Sequence, residues 1–129
     1  MNFPEDLLYT EEHEWVRDDG RLATVGITDY AQSQLKDIVY VDLPEVGAEF
    51  KKGETMGAVE SVKTVADVYA PVSGRVVEKN HELKDHPEWV NSDPYGRGWF
   101  LRMEPEDREE LKGLLTAEAY RGKILEENA

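Results

Sequence analysis

From residue 13 to residue 103 the chain is a succession of short apolar and β-branched runs, each closed by glycine, proline or an Asp/Asn-rich turn. That punctuation leaves room for little other than a mainly β fold. His13-Glu14-Trp15-Val16-Arg17, the turn Asp18-Asp19-Gly20 and the run Arg21 to Gly26 read as a hairpin, with glycine where φ must be positive. Thr28 or Asp29 then caps a short helix through about Lys36, because a side-chain oxygen there accepts from the free N–H groups of the first turn. Ile38 to Leu43 is a buried-looking strand stopped by Pro44, which has no N–H for a ladder. Ala48-Glu49-Phe50 and Thr55 to Val62 read as the next strand pair, across the polar corner Lys51 to Glu54. Thr64 to Ala70 pairs back on Thr55 to Val62, so the tip of this second hairpin falls at residues 62–64, with Lys63 at its apex. Ser73-Gly74 opens a further strand, Arg75 to Lys79.

Beyond it, Asn80 to Asp85 is loop-like, Pro87 suits the first turn of a short helix through Val90, and Asn91 to Gly96 is a turn in which Gly96 takes a positive φ. Gly98 to Met103 is a last strand, followed by a helical segment over about 105–127. Glu106 and Asp107 favour the dipole of its first turn, and Leu111, Leu114 and Leu115 have i, i+3, i+4 spacing. Thr116 caps a final helix with Ala119, Tyr120 and Ile124 inward, leaving 126–129 frayed. Trp15, Tyr40, Trp99 and Phe100 are expected in the core. Gly26, Gly53, Gly57 and Gly74 are assigned to turns and close approach. No composition shift marks a linker, so residues 1–129 are expected to form one domain.

Several chemistries drop out at this level. The chain has no cysteine, so disulfides, thiolate nucleophiles and Cys-ligated metals are absent, and any thiol chemistry must be imported. His13, His81 and His86 share no element with ligand spacing, so no metal is expected. No nucleophile elbow, phosphate loop or dinucleotide fingerprint occurs, and no catalytic residue is assigned. A formal charge of −13 repels phosphate backbones and anionic lipid, disfavouring nucleic acid and membrane partners and favouring basic grooves on other proteins. The acidic start Met1-Asn2-Phe3-Pro4-Glu5-Asp6 has no presequence character, which points to the cytoplasm.

What remains is Glu54 to Gly74, two strands around one lysine. A hairpin-tip lysine holds its amine away from the sheet, where a modifying enzyme can acylate it. Gly57, Ala58 and Ala66 keep the approach narrow. Taken alone the pattern fits a solvated turn lysine better than a modified one. A Schiff-base or general-base lysine would need a desolvated amine, which a tip does not offer.

Gly57-Ala58-Val59-Glu60-Ser61-Val62-Lys63 followed by Tyr69-Ala70-Pro71-Val72-Ser73-Gly74 resembles the lipoyl-attachment hairpin of the glycine cleavage H-protein family. His13-Glu14-Trp15-Val16, Val25-Gly26-Ile27-Thr28, Ile38 to Pro44, Val90 to Gly96 with Gly98-Trp99, and Ala117 to Tyr120 resemble that family's segments in order, so the likeness covers nearly the whole chain. Thr64-Val65-Ala66-Asp67 departs from it with the bulkier Val65. Biotinyl domains, which flank the lysine with methionine, and lipoyl domains of 2-oxo acid dehydrogenases, with an Asp-Lys tip, fit less well at Val62 and Thr64.

The resemblance implies a lipoyl/biotinyl-type β-sandwich, or barrel-sandwich hybrid, with a short helix after the first hairpin and C-terminal helices. It implies lipoic acid amide-linked to Lys63 by a lipoate-attaching enzyme that reads Glu60. It further implies a monomeric, non-catalytic carrier. Glycine dehydrogenase (decarboxylating) would load its arm with an aminomethyl group, aminomethyltransferase would unload it, and dihydrolipoyl dehydrogenase would reoxidise it. A relay passing lipoate to other carriers would need the same lysine. The loaded arm is expected to fold back on the body, its amine meeting Glu14 and Asp67, with Glu12 a third contact.

Overall fold

The computed structural model describes residues 1–128. Strands β1 (Leu8–Tyr9), β2 (Glu14–Asp18), β3 (Ala23–Ile27), β4 (Ile38–Asp42), β5 (Glu49–Phe50), β6 (Thr55–Ser61), β7 (Val65–Tyr69), β8 (Gly74–Lys79) and β9 (Leu101–Pro105) form two antiparallel sheets. One has the order β1-β2-β3-β9-β8-β5 and the other β4-β6-β7. The helices are α1 (Asp29–Leu35), α2 (Trp89–Ser92) and α3 (Ala117–Glu127), with 3₁₀ turns at His81–Lys84 and Arg108–Gly113.

Val16, Val25, Val41, Val59, Val68 and Val76 meet between the sheets in one apolar cluster. Branched side chains suit this position, since they pack well on a pleated surface. A second cluster lies on the other side of β2, where Trp15 and Tyr9 pack under Phe3, Leu7 and the Tyr120 and Ile124 of α3. The Tyr9 and Tyr120 rings stack at 4.7 Å, with Phe3 edge-on to Tyr120. Successive residues of β2 thus serve opposite cores, and β3 beside it is buried along its whole length. Gly26 permits this, because a β-carbon there would lie 2.7 Å from the Trp15 indole.

The first hairpin, the helix capped by Thr28 and the tip at 62–64 occur where the sequence places them. Other expectations are corrected. β5 does not pair with β6: it joins β8 in the larger sheet while β6 joins β4 and β7, so the corner at residues 51–54 carries the chain between sheets. β4 is an edge strand, and a bulge between Ile38 and Tyr40 breaks its alternation, leaving Val39 and Tyr40 exposed rather than in the core. Trp99 is half-buried under Arg102. The last strand begins at Leu101 and runs on to Pro105. No α-helix forms between it and Thr116: Arg108–Gly113 is a 3₁₀ turn and Leu115 exchanges backbone hydrogen bonds with Tyr9. Asn80 caps a 3₁₀ turn in the segment expected as loop, and Pro87 leads into α2, which reaches Ser92. Gly96 has no positive φ, and a β-carbon there would strike the Asp93 carboxylate. In α3 the buried small residue is Ala117, with Ala119 exposed, and the helix continues through Glu127 instead of fraying at Glu126. Ala129 lies outside the described residues.

Candidate functional site

The turn between β6 and β7 is built by Ser61. Its N–H donates to the Thr64 carbonyl at 2.8 Å, and its Oγ accepts from the N–H groups of Lys63 (3.2 Å) and Thr64 (3.0 Å). A short hydroxyl side chain that bonds the backbone two and three residues on closes a tight turn without glycine. The Val62 N–H donates to the Asp37 carbonyl at 3.0 Å, tying the tip to the segment between α1 and β4. Lys63 is exposed, and its Nζ donates at 3.2 Å to the carbonyl of Gln34, in the last turn of α1. That carbonyl belongs to the set a helix end leaves unpaired, and a cation there meets the negative end of the dipole. The amine is therefore solvated, reachable and already directed along α1.

Alongside the tip runs a cleft of about 280 Å³ between α1, β7 and the start of β2. Ile27, Ala31, Leu35, Val59, Ala66 and Val68 supply its apolar wall, and Glu12, Glu14 and Asp67 its carboxylates. Gln34 belongs to the same lining, so the residue that receives the lysine amine also borders the cleft. All three acids expected as amine contacts are brought to one cavity, although Glu14 and Asp67 come from different sheets and Glu12 from the turn before β2.

They are not equivalent. Glu12 and Asp67 are exposed, whereas Glu14 is 1% exposed. Its Oε1 accepts from the Thr10 hydroxyl at 2.6 Å and its Oε2 from the Tyr69 N–H at 3.1 Å, so this carboxylate bridges the two sheets at the cleft. Burial pushes its carboxyl up to about 7, against the lowering pull of those two hydrogen bonds. Near neutral pH it is therefore shared between acid and carboxylate, and an arriving ammonium would draw it to the ionised form.

Glu60 is exposed on β6, in a cross-strand row with Tyr40 and Val65, beside the tip and away from the cleft lining. Sequence reasoning missed Ser61, Thr10, Gln34 and Asp37. Ser61 carried a signal, a hydroxyl opening a four-residue turn, while the other three act through nonlocal contacts that no spacing reveals. Among the histidines, His13 is half-buried, its Nδ1 2.8 Å from the Tyr120 hydroxyl, and burial pulls its pKa down. His86 stacks on Trp89. Among the described residues no group of three His, Asp or Glu side chains is placed to hold a metal, and no helix is long and apolar enough to cross a membrane.

The site fits a lipoyl group: an accessible primary amine to form the amide, an apolar wall for the chain and dithiolane, and carboxylates for a cationic load. Comparison with known proteins points the same way. The family model described as "Glycine cleavage H-protein" matches residues 7–127. The chain is 57% identical over 126 residues to the glycine cleavage system H protein of Geobacillus kaustophilus (strain HTA426), covering 98% of this chain and 99% of that one. It is 52% identical over 124 residues to the H protein of Bacteroides thetaiotaomicron, covering 96% and 98%. Among solved structures, a glycine cleavage system H protein from Mycobacterium marinum superposes with a TM-score of 0.84 at 41% identity, over 94% of this chain and 98% of that one. At such identity over nearly the full length of each protein, the chain belongs to the glycine cleavage H-protein family, and it is a lipoyl carrier of that system rather than one of its enzymes.

Proposed function

We propose that Lys63 is the residue that carries the lipoyl group, as an amide on Nζ, and that residues 1–129 act as one cytoplasmic, monomeric carrier domain. The reading is supported by one observation above the rest: the exposed Lys63 amine stands at the end of a braced turn and beside the mouth-lining Gln34 of an acid-bearing cleft. When bound, the lipoyl group supplies the sulfur chemistry that a cysteine-free chain lacks. Ser61 holds the turn that presents the amine, and Glu60 offers a fixed negative charge to the lipoate-attaching enzyme.

Glycine dehydrogenase (decarboxylating), aminomethyltransferase and dihydrolipoyl dehydrogenase are the partners visited in turn. Tethering gives each docked enzyme a high local concentration of the group without tight affinity for it. Between visits the cleft takes up the arm. Its apolar wall excludes water, and Glu14, with Asp67 and Glu12, receives the ammonium of the aminomethyl load. An amide at Lys63 keeps one N–H, which can still donate to the Gln34 carbonyl and direct the arm along α1. Intact-mass analysis after incubation with a lipoate ligase, lipoate and ATP tests the assignment. One lipoyl addition mapped to Lys63, and none on Lys63→Arg, is the expected result. No addition to the wild-type chain, or lipoylation at another lysine, would overturn it.

A further inference from the structure

The segment Val90 to Gly96 takes no part in the chemistry above, yet Asn91 is the side chain that secures the base of the lysine tip. From α2 its Oδ1 accepts from the Ile38 N–H at 2.9 Å, while its Nδ2 donates to the Lys36 carbonyl at 2.8 Å and to Gln32 Oε1 at 3.0 Å. The amide orientation is dictated by these partners, since a flip would set its NH₂ against an N–H and its oxygen against two acceptors.

What Asn91 grips is Lys36-Asp37-Ile38. Lys36 sits at φ 68°, a left-handed conformation that a non-glycine residue keeps only with outside support. This short segment and the adjoining end of α1 receive the bonds by which Val62 and Lys63 reach outside their own turn: Val62 N–H to Asp37 at 3.0 Å and Lys63 Nζ to Gln34 at 3.2 Å. We propose that Asn91 is a positioning residue for Lys63, holding the 36–38 segment so that the tip meets the lipoate-attaching enzyme in one orientation. The proposal rests on Lys63 being the attachment residue.

A tip freed from this brace samples several orientations, and the enzyme binds only the competent fraction. Apparent affinity then falls by that fraction, while the rate within the bound complex is unchanged. Asn91→Ala removes all three bonds. Asn91→Asp keeps the acceptor for Ile38 but sets a carboxylate against the Lys36 carbonyl and Gln32. Gln32→Ala removes one side-chain contact and leaves both backbone ones.

The test uses the full chain, lipoate ligase, lipoate and ATP, at a temperature well below every variant's melting point. Initial rates are read by intact mass against carrier concentration, and backbone hydrogen exchange is followed by NMR. Both Asn91 variants should raise KM about fivefold with kcat unchanged, the scale of one lost hydrogen bond, and Gln32→Ala should match wild type. Exchange at the Val62 N–H should quicken by a similar factor, with Val59 in the same strand unaffected. A wild-type KM in the Asn91 variants, or a raised KM with unaltered Val62 exchange, would overturn the proposal. If the wild-type chain takes no lipoate at Lys63, the attachment reading fails, and the Val62 exchange comparison still decides whether Asn91 braces the tip.

Discussion

Glu14 shows how far one residue's chemistry departs from its type. In the sequence it is one of 28 acids, on the first strand of a hairpin, and only the family resemblance sets it apart from a solvated one. In the fold it lies beneath the cleft, bonded to Thr10 and to the backbone of Tyr69, with its pKa raised to about 7 by burial. Because the folded protein binds this proton more tightly than the unfolded chain does, stability falls as pH rises from the ordinary carboxylate range through about 7. Glu14→Gln removes that slope, so its melting temperature should exceed the wild type's by several degrees at about pH 8 and by little at about pH 5. Calorimetry at the two pH values checks the difference. In the proposed function the same carboxylate, once ionised, would be the innermost partner for a cationic load. Glu14→Gln combined with Asp67→Asn should therefore speed loss of the aminomethyl group from the loaded carrier in solution, followed by mass, and an unchanged rate would count against the cleft as its resting place. Lys63, by contrast, could be placed at a hairpin tip beforehand, because a lysine between two short strands stays there whatever the sheets do, and the family resemblance then gave it a role.

At the scale of elements, local signals located most strands and turns and erred where a nonlocal contact decided the outcome. The Leu111, Leu114, Leu115 spacing implies a helix, yet Leu115 is held extended by two backbone hydrogen bonds to Tyr9, over a hundred residues earlier in the chain. Tyr40 looks like core by composition, but a bulge in an edge strand turns it outward. β1 went unrecognised because two residues carry no periodicity. Glycine illustrates the reverse case, a local choice made for a neighbouring element. Gly57 lets β6 pass beside β4, where a β-carbon would collide with the Asp42 carbonyl. Gly57→Ala should therefore destabilise the chain by about 2 kcal/mol or more, measured by urea denaturation, since backbone cannot yield as a side chain can. Gly20→Ala meets no atom and suffers only its positive φ, so it should cost about 1 kcal/mol.

For the whole molecule, charge is the property that reaches furthest. At −13, and one unit lower with the proposed amide on Lys63, the charge favours docking to basic partner surfaces. Its KM in the glycine cleavage assay should rise several-fold between about 50 and 300 mM salt, with kcat much less affected. An insensitive KM would remove electrostatic steering from the account. By itself the sequence determined the order of most strands and turns, the lysine at a hairpin apex, the net charge and the absence of cysteine, because each is a property of a residue or its close neighbours. Tertiary structure alone decided that β5 and β6 belong to different sheets, that acids from both sheets share one cleft, and that one of them is buried with its pKa raised by desolvation. Burial, desolvation and hydrogen-bond partnership are set by residues far away in the chain, and no local pattern records them.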